Sequence, residues 1–291
     1  MLVLIGAVVV VVCVLGGFVL SHGQIAALWQ PYELLIIGGG ALGAFLSANS
    51  PKVVKGAVRD AVGLLKGPKY KKQDYIDLLS MLYDLFSLIR KEGLLGVEEH
   101  IEDPQNSSLF SAYPRLLREH HLIEFTTDCL RLMVGGSMNP IELEQLLEVE
   151  LETHHHEAMA PATAVTKMAD ALPGFGIVAA VLGIVETMSQ LDGDTSKIGA
   201  HIAGALVGTF LGILLCYGFI GPVGAAMENR VQEDGKAFEC VKIALLASLR
   251  GYNPKVSVEF ARKSLATHSR PGFLDLEEHL KSAAPRAKAA T

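Results

Sequence analysis

The stretch GAHIAGALVGTFLGILLCYGFIGP, Gly199 to Pro222, decides the fold. It carries no carboxylate, no Lys and no Arg, and its only ionisable nitrogen base is His201. An uncharged run of this length is long enough to cross a hydrocarbon core as a helix. Gly204, Gly208 and Gly212 recur at every fourth position. Small residues at that spacing share one helix face and let a second helix approach closely inside a bilayer. A wall built this way has no titrating acid at its centre, so an ion that moves along it must be carried by a group from elsewhere, which points to a partner protein.

Three further runs extend the pattern. Leu2 to Leu20 is uncharged throughout. No basic residue precedes it and Ser21-His22-Gly23 is a poor cleavage site, so it reads as a retained helix and not as a signal peptide. A second span covers Leu34 to Ala48, preceded by Trp29 and Tyr32 at the interface and containing the small pair Gly39 and Gly43. A third covers Ala171 to Met188 and contains Glu186, and the fourth is taken from Ile198 to Val223. Half of the 291 residues are apolar, only 19% are charged, and mean hydropathy is positive, which excludes an ordinary soluble domain. A net charge of −6 gives no reason to expect nucleic acid. Cys13, Cys129, Cys216 and Cys240 have no metal-site spacing and read as small hydrophobes.

Loop charge orients the spans. Residues 21–33 contain no Lys or Arg, whereas Lys52, Lys55, Arg59, Lys66, Lys69, Lys71 and Lys72 follow the second span. Cytoplasmic loops carry such an excess, so this segment and both termini are expected in the cytoplasm. The expected fold class is an all-α integral membrane protein of four transmembrane helices. It has a large helical cytoplasmic insertion between spans two and three and a helical cytoplasmic tail. The divisions are 1–49 (spans one and two), 50–169 (insertion), 170–226 (spans three and four, the ion-path wall) and 227–291 (tail).

Within the insertion, residues 74–91 place Leu78, Leu82, Leu85 and Ile89 on one stripe and Tyr83, Ser87, Arg90 and Lys91 opposite, with Gly93 as the stop. A second helix is expected over 114–133. A third starts at Asn139, with Pro140 at the first helical position and Glu142 able to reach back to the cap, and runs towards His154. His154-His155-His156 reads as a solvated helix end, because adjacent helical residues point about 100° apart and cannot easily share a metal. The run Gly38 to Gly43 lacks a following GK[ST] and reads as helix packing, not phosphate binding. No nucleophile–base constellation is present, so an enzyme is not expected. No cofactor or metal is expected either.

Pro173 opens span three and Pro222 closes span four. Each removes a backbone donor and crowds the carbonyl four residues back, so a kink is expected near Gly218 to Gly221. The prolines read either as plain helix ends or as a paired hinge. Thr209 lies about 16 Å into span four at helical rise, with Ala180 at a comparable depth on span three and Tyr217 one turn before Pro222. Glu186 reads either as a cation-attracting outer mouth or as a solvated rim.

Four stretches carry a resemblance: LPGFGIVAAVLGIV (172–185), VGTFLGILLCYGFIGP (207–222), QPYELLIIGGGALG (30–43) and PRLLREHHLIEFTTDCLRLMVGGSMNPIELEQLLEVELETH (114–154). The chain resembles the MotA/PomA family of flagellar motor stator subunits over nearly its whole length, with ExbB/TolQ energisers as distant relatives. The resemblance implies an inner-membrane torque generator coupled to protons. Five copies surround two copies of MotB, whose single span bears the proton-binding aspartate. It also implies that Arg90 (in LIRKEG) and Glu98 (in GVEEH) contact the rotor protein FliG. By the same likeness Pro173 and Pro222 are conformational prolines, and Ala180, Thr209 and Tyr217 face the partner helix and proton path. Glu186 and the three histidines depart from the pattern. An ExbB/TolQ-like energiser or a non-conducting helical scaffold are the alternatives.

Overall fold

The computed structural model describes residues 2–136, 139–189 and 195–283. The helices are α1 (Leu2–Leu20), α2 (Pro31–Ala48), α3 (Pro51–Gly63), α4 (Lys72–Glu92), α5 (Glu98–Glu102), α6 (Ser108–Ser111), α7 (Pro114–Leu117), α8 (His120–Val134), α9 (Pro140–Ser189), α10 (Thr195–Leu215), α11 (Gly221–Leu249), α12 (Pro254–Ser264) and α13 (Phe273–Ala283). Short 3₁₀ turns occupy Ile25–Leu28, Leu64–Lys66 and Leu94–Val97, and a π turn occupies Cys216–Ile220. No strand occurs among the described residues. Among the described residues, four helical stretches are long and apolar enough to cross a membrane, and they lie in Leu2–Leu20, Ile25–Ala48, Pro140–Met188 and His201–Leu249.

The chain divides into two compact units, residues 1–67 with 157–231, and residues 68–156 with 232–291. The tail therefore packs with the insertion as one body. The first unit is the membrane unit. Here α2 buries Ile37, Ala41 and Phe45, spaced by four and so on one stripe. Ile37 and Ala41 share a cluster with Ala169, Leu172, Ala179 and Cys216. Phe45 joins Ala57, Ala162, Val165 and Met227. Helix α1 buries no residue of its own within the chain. A helix apolar all round and uncovered is suited to lipid or to neighbouring membrane helices. Arg230 donates to the carbonyl of Gly63 at 2.6 Å, satisfying an orphan acceptor at the end of α3.

The second unit has one continuous core. Leu78, Leu79, Met81, Leu82, Leu85 and Phe86 of α4 meet Ile101, Phe110, Leu122, Cys129 and Leu130, with Val241, Ala244, Leu245 and Val258. The α4 stripe expected from periodicity is buried at Leu78, Leu82 and Leu85, and Ile89 packs partly against it. Gly93 stops the helix with φ +80°, a conformation glycine adopts freely, while its N–H donates to Ile89 at 2.8 Å. At the head of α9 the Asn139 Oδ1 accepts from the N–H groups of Ile141 (2.9 Å) and Glu142 (3.0 Å). Glu142 accepts in return from the Asn139 N–H at 3.0 Å. This is the reciprocal cap that the sequence predicts.

Several expectations need correction. The helix expected over 114–133 is two helices, α7 and α8, broken at Glu119, whose backbone sits at φ −86°, ψ 70°. The break lets Leu116 and Leu122 both enter the core, and the Glu119 carboxylate pairs with Lys69 at 2.6 Å. The helix expected to end near His154 instead continues unbroken to Ser189 through Pro161 and Pro173. The alanine-rich segment from Ala158 to Ala171 is made of strong helix formers, which outweigh one proline. The histidines are thus not at a helix end. His155 and His156 are exposed, and the His154 ring lies 4.3 Å from that of Phe238. No cluster of metal-ligating side chains occurs among the described residues. Pro222 does not end its helix, because α11 continues to Leu249. The second span begins earlier than Leu34, at Pro31, and so includes Glu33 in its first turn. The Ala/Lys-rich end, 284–291, lies outside the described residues.

Candidate ion-path wall in the membrane unit

Helices α9 and α10 meet through glycine. A Cβ placed on Gly212 would lie 2.7 Å from the Leu172 carbonyl oxygen, 3.1 Å from the Gly176 Cα and 3.3 Å from the Pro173 Cα. One on Gly176 would lie 3.1 Å from the Gly208 oxygen and 3.4 Å from the Thr209 Cα. Gly183 faces Ala205 in the same way, and Gly208 faces Ala179. The two backbones touch, leaving no room for side chains along the seam. Of the three glycines singled out in the sequence, Gly208 and Gly212 lie on this seam. Gly204 faces α2, against Gln30 and Glu33. Helix α2 closes on α9 by seating the Phe175 ring where Gly40 lacks a side chain.

Ala180 and Thr209 are the immediate chain neighbours of the contacting pair Ala179 and Gly208, so they flank one level of the seam, both half-buried. Pro173 lies inside α9 against Gly212. Pro222 is the second residue of α11 and follows the π turn Cys216–Ile220. Proline lacks the N–H that Gly218 O would accept, and the preceding turn is wide: Gly221 donates to Cys216, five residues back. The kink expected near Gly218 to Gly221 thus takes the form of this π turn. A Cβ on Gly221 would stand 2.8 Å from that same carbonyl oxygen, so the turn requires glycine there. Tyr217, in the turn, is 73% exposed. Glu186 is exposed on the last turn of α9.

Arg90 and Glu98 belong to the other unit. Arg90 is exposed in the last turn of α4, and Glu98 is exposed as the first residue of α5, the two joined through the Gly93 stop and the turn Leu94–Val97. Arg90 and Lys91 line a groove of about 420 Å³ with Tyr83, Ser87, Asn253, Pro254 and Lys255.

Sequence reasoning missed Glu33. The span read from Leu34 leaves it out, yet Gln30-Pro31-Tyr32-Glu33 is a helix start with proline at the first position and an acid in the first turn.

Four helical stretches able to span a bilayer, with a glycine seam between the last two, define an integral membrane subunit built on close helix contact. Comparison with known proteins agrees. The family model for the motility protein A N-terminal region matches residues 4–93, and that for the MotA/TolQ/ExbB proton channel family matches residues 119–239. Motility protein A of Salmonella typhimurium is 45% identical across 97% of this chain and 96% of its own, and that of Escherichia coli is 44% identical over the same shares. The flagellar MotAB stator complex from Bacillus subtilis superposes with TM-score 0.67 at 26% identity, covering 96% of this chain and 98% of that one. The Campylobacter jejuni MotAB structure superposes with TM-score 0.71 at 20% identity, covering 91% and 95%, and so shares the fold. The chain belongs to the motility protein A family. It is a stator subunit of the bacterial flagellar motor.

Proposed function

We propose that this chain forms the wall of a proton path whose titrating acid is supplied by a MotB-type partner, two copies of which sit within a ring of five of these subunits. The glycine seam carries the reading: α9 and α10 touch backbone to backbone, and between Leu172 and Val185 and between His201 and Val223 the sequence offers no carboxylate. Thr209 and Ala180 flank that seam at one level and face the partner helix. An unpaired charge in such surroundings costs several kcal/mol, on the order of the difference between two helix packings. Protonating the partner's acid removes that cost and changes which packing is favoured.

The movement leaves the membrane through α9 at Pro173 and through the π turn at Pro222, with Tyr217 beside it. Arg90 and Glu98 then press on opposite charges of the rotor protein FliG. Exposed pairs are weak, about 0–1 kcal/mol each, which suits repeated attachment and release. The lysine-rich segment after the second span supports an arrangement with both termini in the cytoplasm and Glu186 near the outer mouth.

The test is complementation of cells that lack this subunit but keep its partner. The wild-type chain restores swimming, and Pro173→Ala abolishes it with membrane levels unchanged. The double reversal Arg90→Glu with Glu98→Lys weakens swimming with assembly intact. Normal swimming by Pro173→Ala defeats the coupling role.

A further inference from the structure

Helix α3 follows the second span after only two residues, Asn49 and Ser50, and both are engaged. The Asn49 amide donates to the Phe45 carbonyl at 2.7 Å, and the Ser50 hydroxyl accepts from the Val53 N–H. The helix then crosses the two long rods of the membrane unit. A Cβ on Gly56 would stand 2.9 Å from the Pro161 Cγ of α9, and seven residues on the Gly63 carbonyl accepts from Arg230 of α11. The rods run antiparallel, with Gly212 against Leu172 and Gly224 against Thr166, so Pro161 and Arg230 stand at one level. Seven residues of helix cover about 10 Å, which matches the roughly 8–10 Å between neighbouring packed helices. Because α9 and the α10–α11 rod carry membrane spans, an element laid across them runs along the membrane surface.

At about 100° per residue the helix divides into three sectors. Val53, Ala57, Ala61 and Leu64 dock on the rods, in the cluster with Ala162, Val165 and Met227. Beside them lies an uncovered apolar stripe of Val58 (63% exposed), Val62 (54%) and Leu65 (54%), spaced by four and three and carried onto the turn Leu64–Lys66. The third sector is basic, with Lys52, Lys55, Arg59 and Lys66 all exposed. No carboxylate lies on either uncovered sector. The one acid of α3, Asp60, is half-buried and pairs with Arg59 at 2.8 Å, and Lys52 meets Glu157 at 3.4 Å. Lys55 and Lys66 form no ion pair with another described residue. An apolar stripe bordered by unpaired cations is the pattern of a helix seated at a lipid interface, its apolar side chains among acyl chains and its ammonium groups reaching the headgroups.

We propose that α3 is a binding site for anionic lipid. Val58, Val62 and Leu65 enter the adjoining leaflet, and Lys55 and Lys66 hold the phosphate of an acidic headgroup, with Arg59 and Lys52 beside them. The occupant follows from charge and from continuity: the free cations call for an anion, and two capped residues tie the helix to a span already in the bilayer. The proposal rests on the membrane placement of α2 and not on the torque mechanism. Each basic residue close to an anionic surface strengthens binding roughly fivefold.

The experiment uses the complex assembled with its partner in lipid vesicles. Val62→Trp is introduced with Trp29→Phe, which removes the chain's own tryptophan, and Trp29→Phe alone supplies the background from the partner. Val58→Trp is a second reporter on the same stripe. Phosphatidylglycerol or phosphatidylcholine with brominated acyl chains, diluted into unbrominated phosphatidylcholine, quenches a tryptophan in contact with lipid and ranks the two headgroups. The expected result is quenching of both reporters by both lipids, with phosphatidylglycerol preferred about fivefold or more. Lys55→Gln with Lys66→Gln brings that ratio towards one, and Lys55→Arg with Lys66→Arg retains it. The proposal is overturned if neither reporter is quenched, which marks the stripe as covered by a second copy of the chain. Equal quenching by the two lipids overturns it as well, as does a preference that survives the double glutamine change or a loss of assembly on making that change. The measurement involves neither proton flow nor a rotor, so its outcome is independent of the reading of the ion-path wall.

Discussion

Adding one methyl group at Gly212 tests the seam directly. In Gly212→Ala the new carbon stands 2.7 Å from the Leu172 carbonyl oxygen, about 0.7 Å inside ordinary contact, with the Cα atoms of Gly176 and Pro173 at 3.1 and 3.3 Å. All three obstacles are backbone, so no rotamer change relieves them and α9 must move away from α10. Overpacking of this kind costs about 1–3 kcal/mol. Replacing a helical glycine with alanine also returns about 1 kcal/mol of intrinsic propensity. Gly174→Ala is the matched control, since a Cβ there meets nothing within 4 Å on the same stretch of α9. The propensity gain is common to both variants, so their difference isolates the clash at about 1–3 kcal/mol. Melting of the detergent-solubilised complex, alongside swimming speed and membrane level, reads it out. Gly212→Ala melts lower than Gly174→Ala by several degrees and slows or stops swimming. Equal melting temperatures for the two refute the claim that α9 and α10 are in backbone contact.

Two further outcomes follow from the second unit. Asn139→Ala removes the acceptor for Ile141 and Glu142 and costs about 1 kcal/mol, seen as a lower melting temperature with the fold retained. Burial raises the affinity of the Asp84 carboxyl for its proton, against a hydrogen bond donated by Tyr113 at 2.7 Å. The folded state then binds that proton more tightly than the unfolded chain. The stability this contributes is full below the ordinary aspartate range and lost as pH rises through the raised value. Asp84→Asn keeps an acceptor for Tyr113 and flattens that part of the melting-temperature profile, and an unchanged profile contradicts it.

What the sequence showed and what it hid follow from the range of the interactions involved. The four spans were legible because uncharged runs of that length have few other uses. The Asn139 cap and the Gly93 stop were legible because each is settled by residues within four positions of itself. The break at Glu119 was not, since nothing local forbids a helix there. It exists because Leu116 and Leu122 both reach one core and because Lys69, fifty positions earlier, meets the carboxylate. The packing of the tail with residues 68–156 is equally long-range. The continuity of α9 was concealed by Pro161, which reads as a breaker until the alanines around it are weighed. Nothing local marks Glu33, since an acid beside an apolar run ordinarily reaches water, and only the bare faces of Gly204 and Gly208 show where it goes. Arg90 and Glu98 look like any solvated charges; only family likeness singles them out.

The wide turn at Cys216–Ile220 acts as a phase corrector. Gly212 lies against α9 at Leu172, and Gly224 lies against α9 again, at Thr166. At about 100° per residue, twelve residues of plain α-helix would swing the second glycine about 120° away from the first. Absorbing one surplus residue in the turn brings it back to within about 20°, so both halves of one long rod remain docked on the same neighbour. Were the surplus residue to shift along the rod, only the stretch between its old and new positions would revolve, by roughly a quarter-turn, while both anchorages stayed in place.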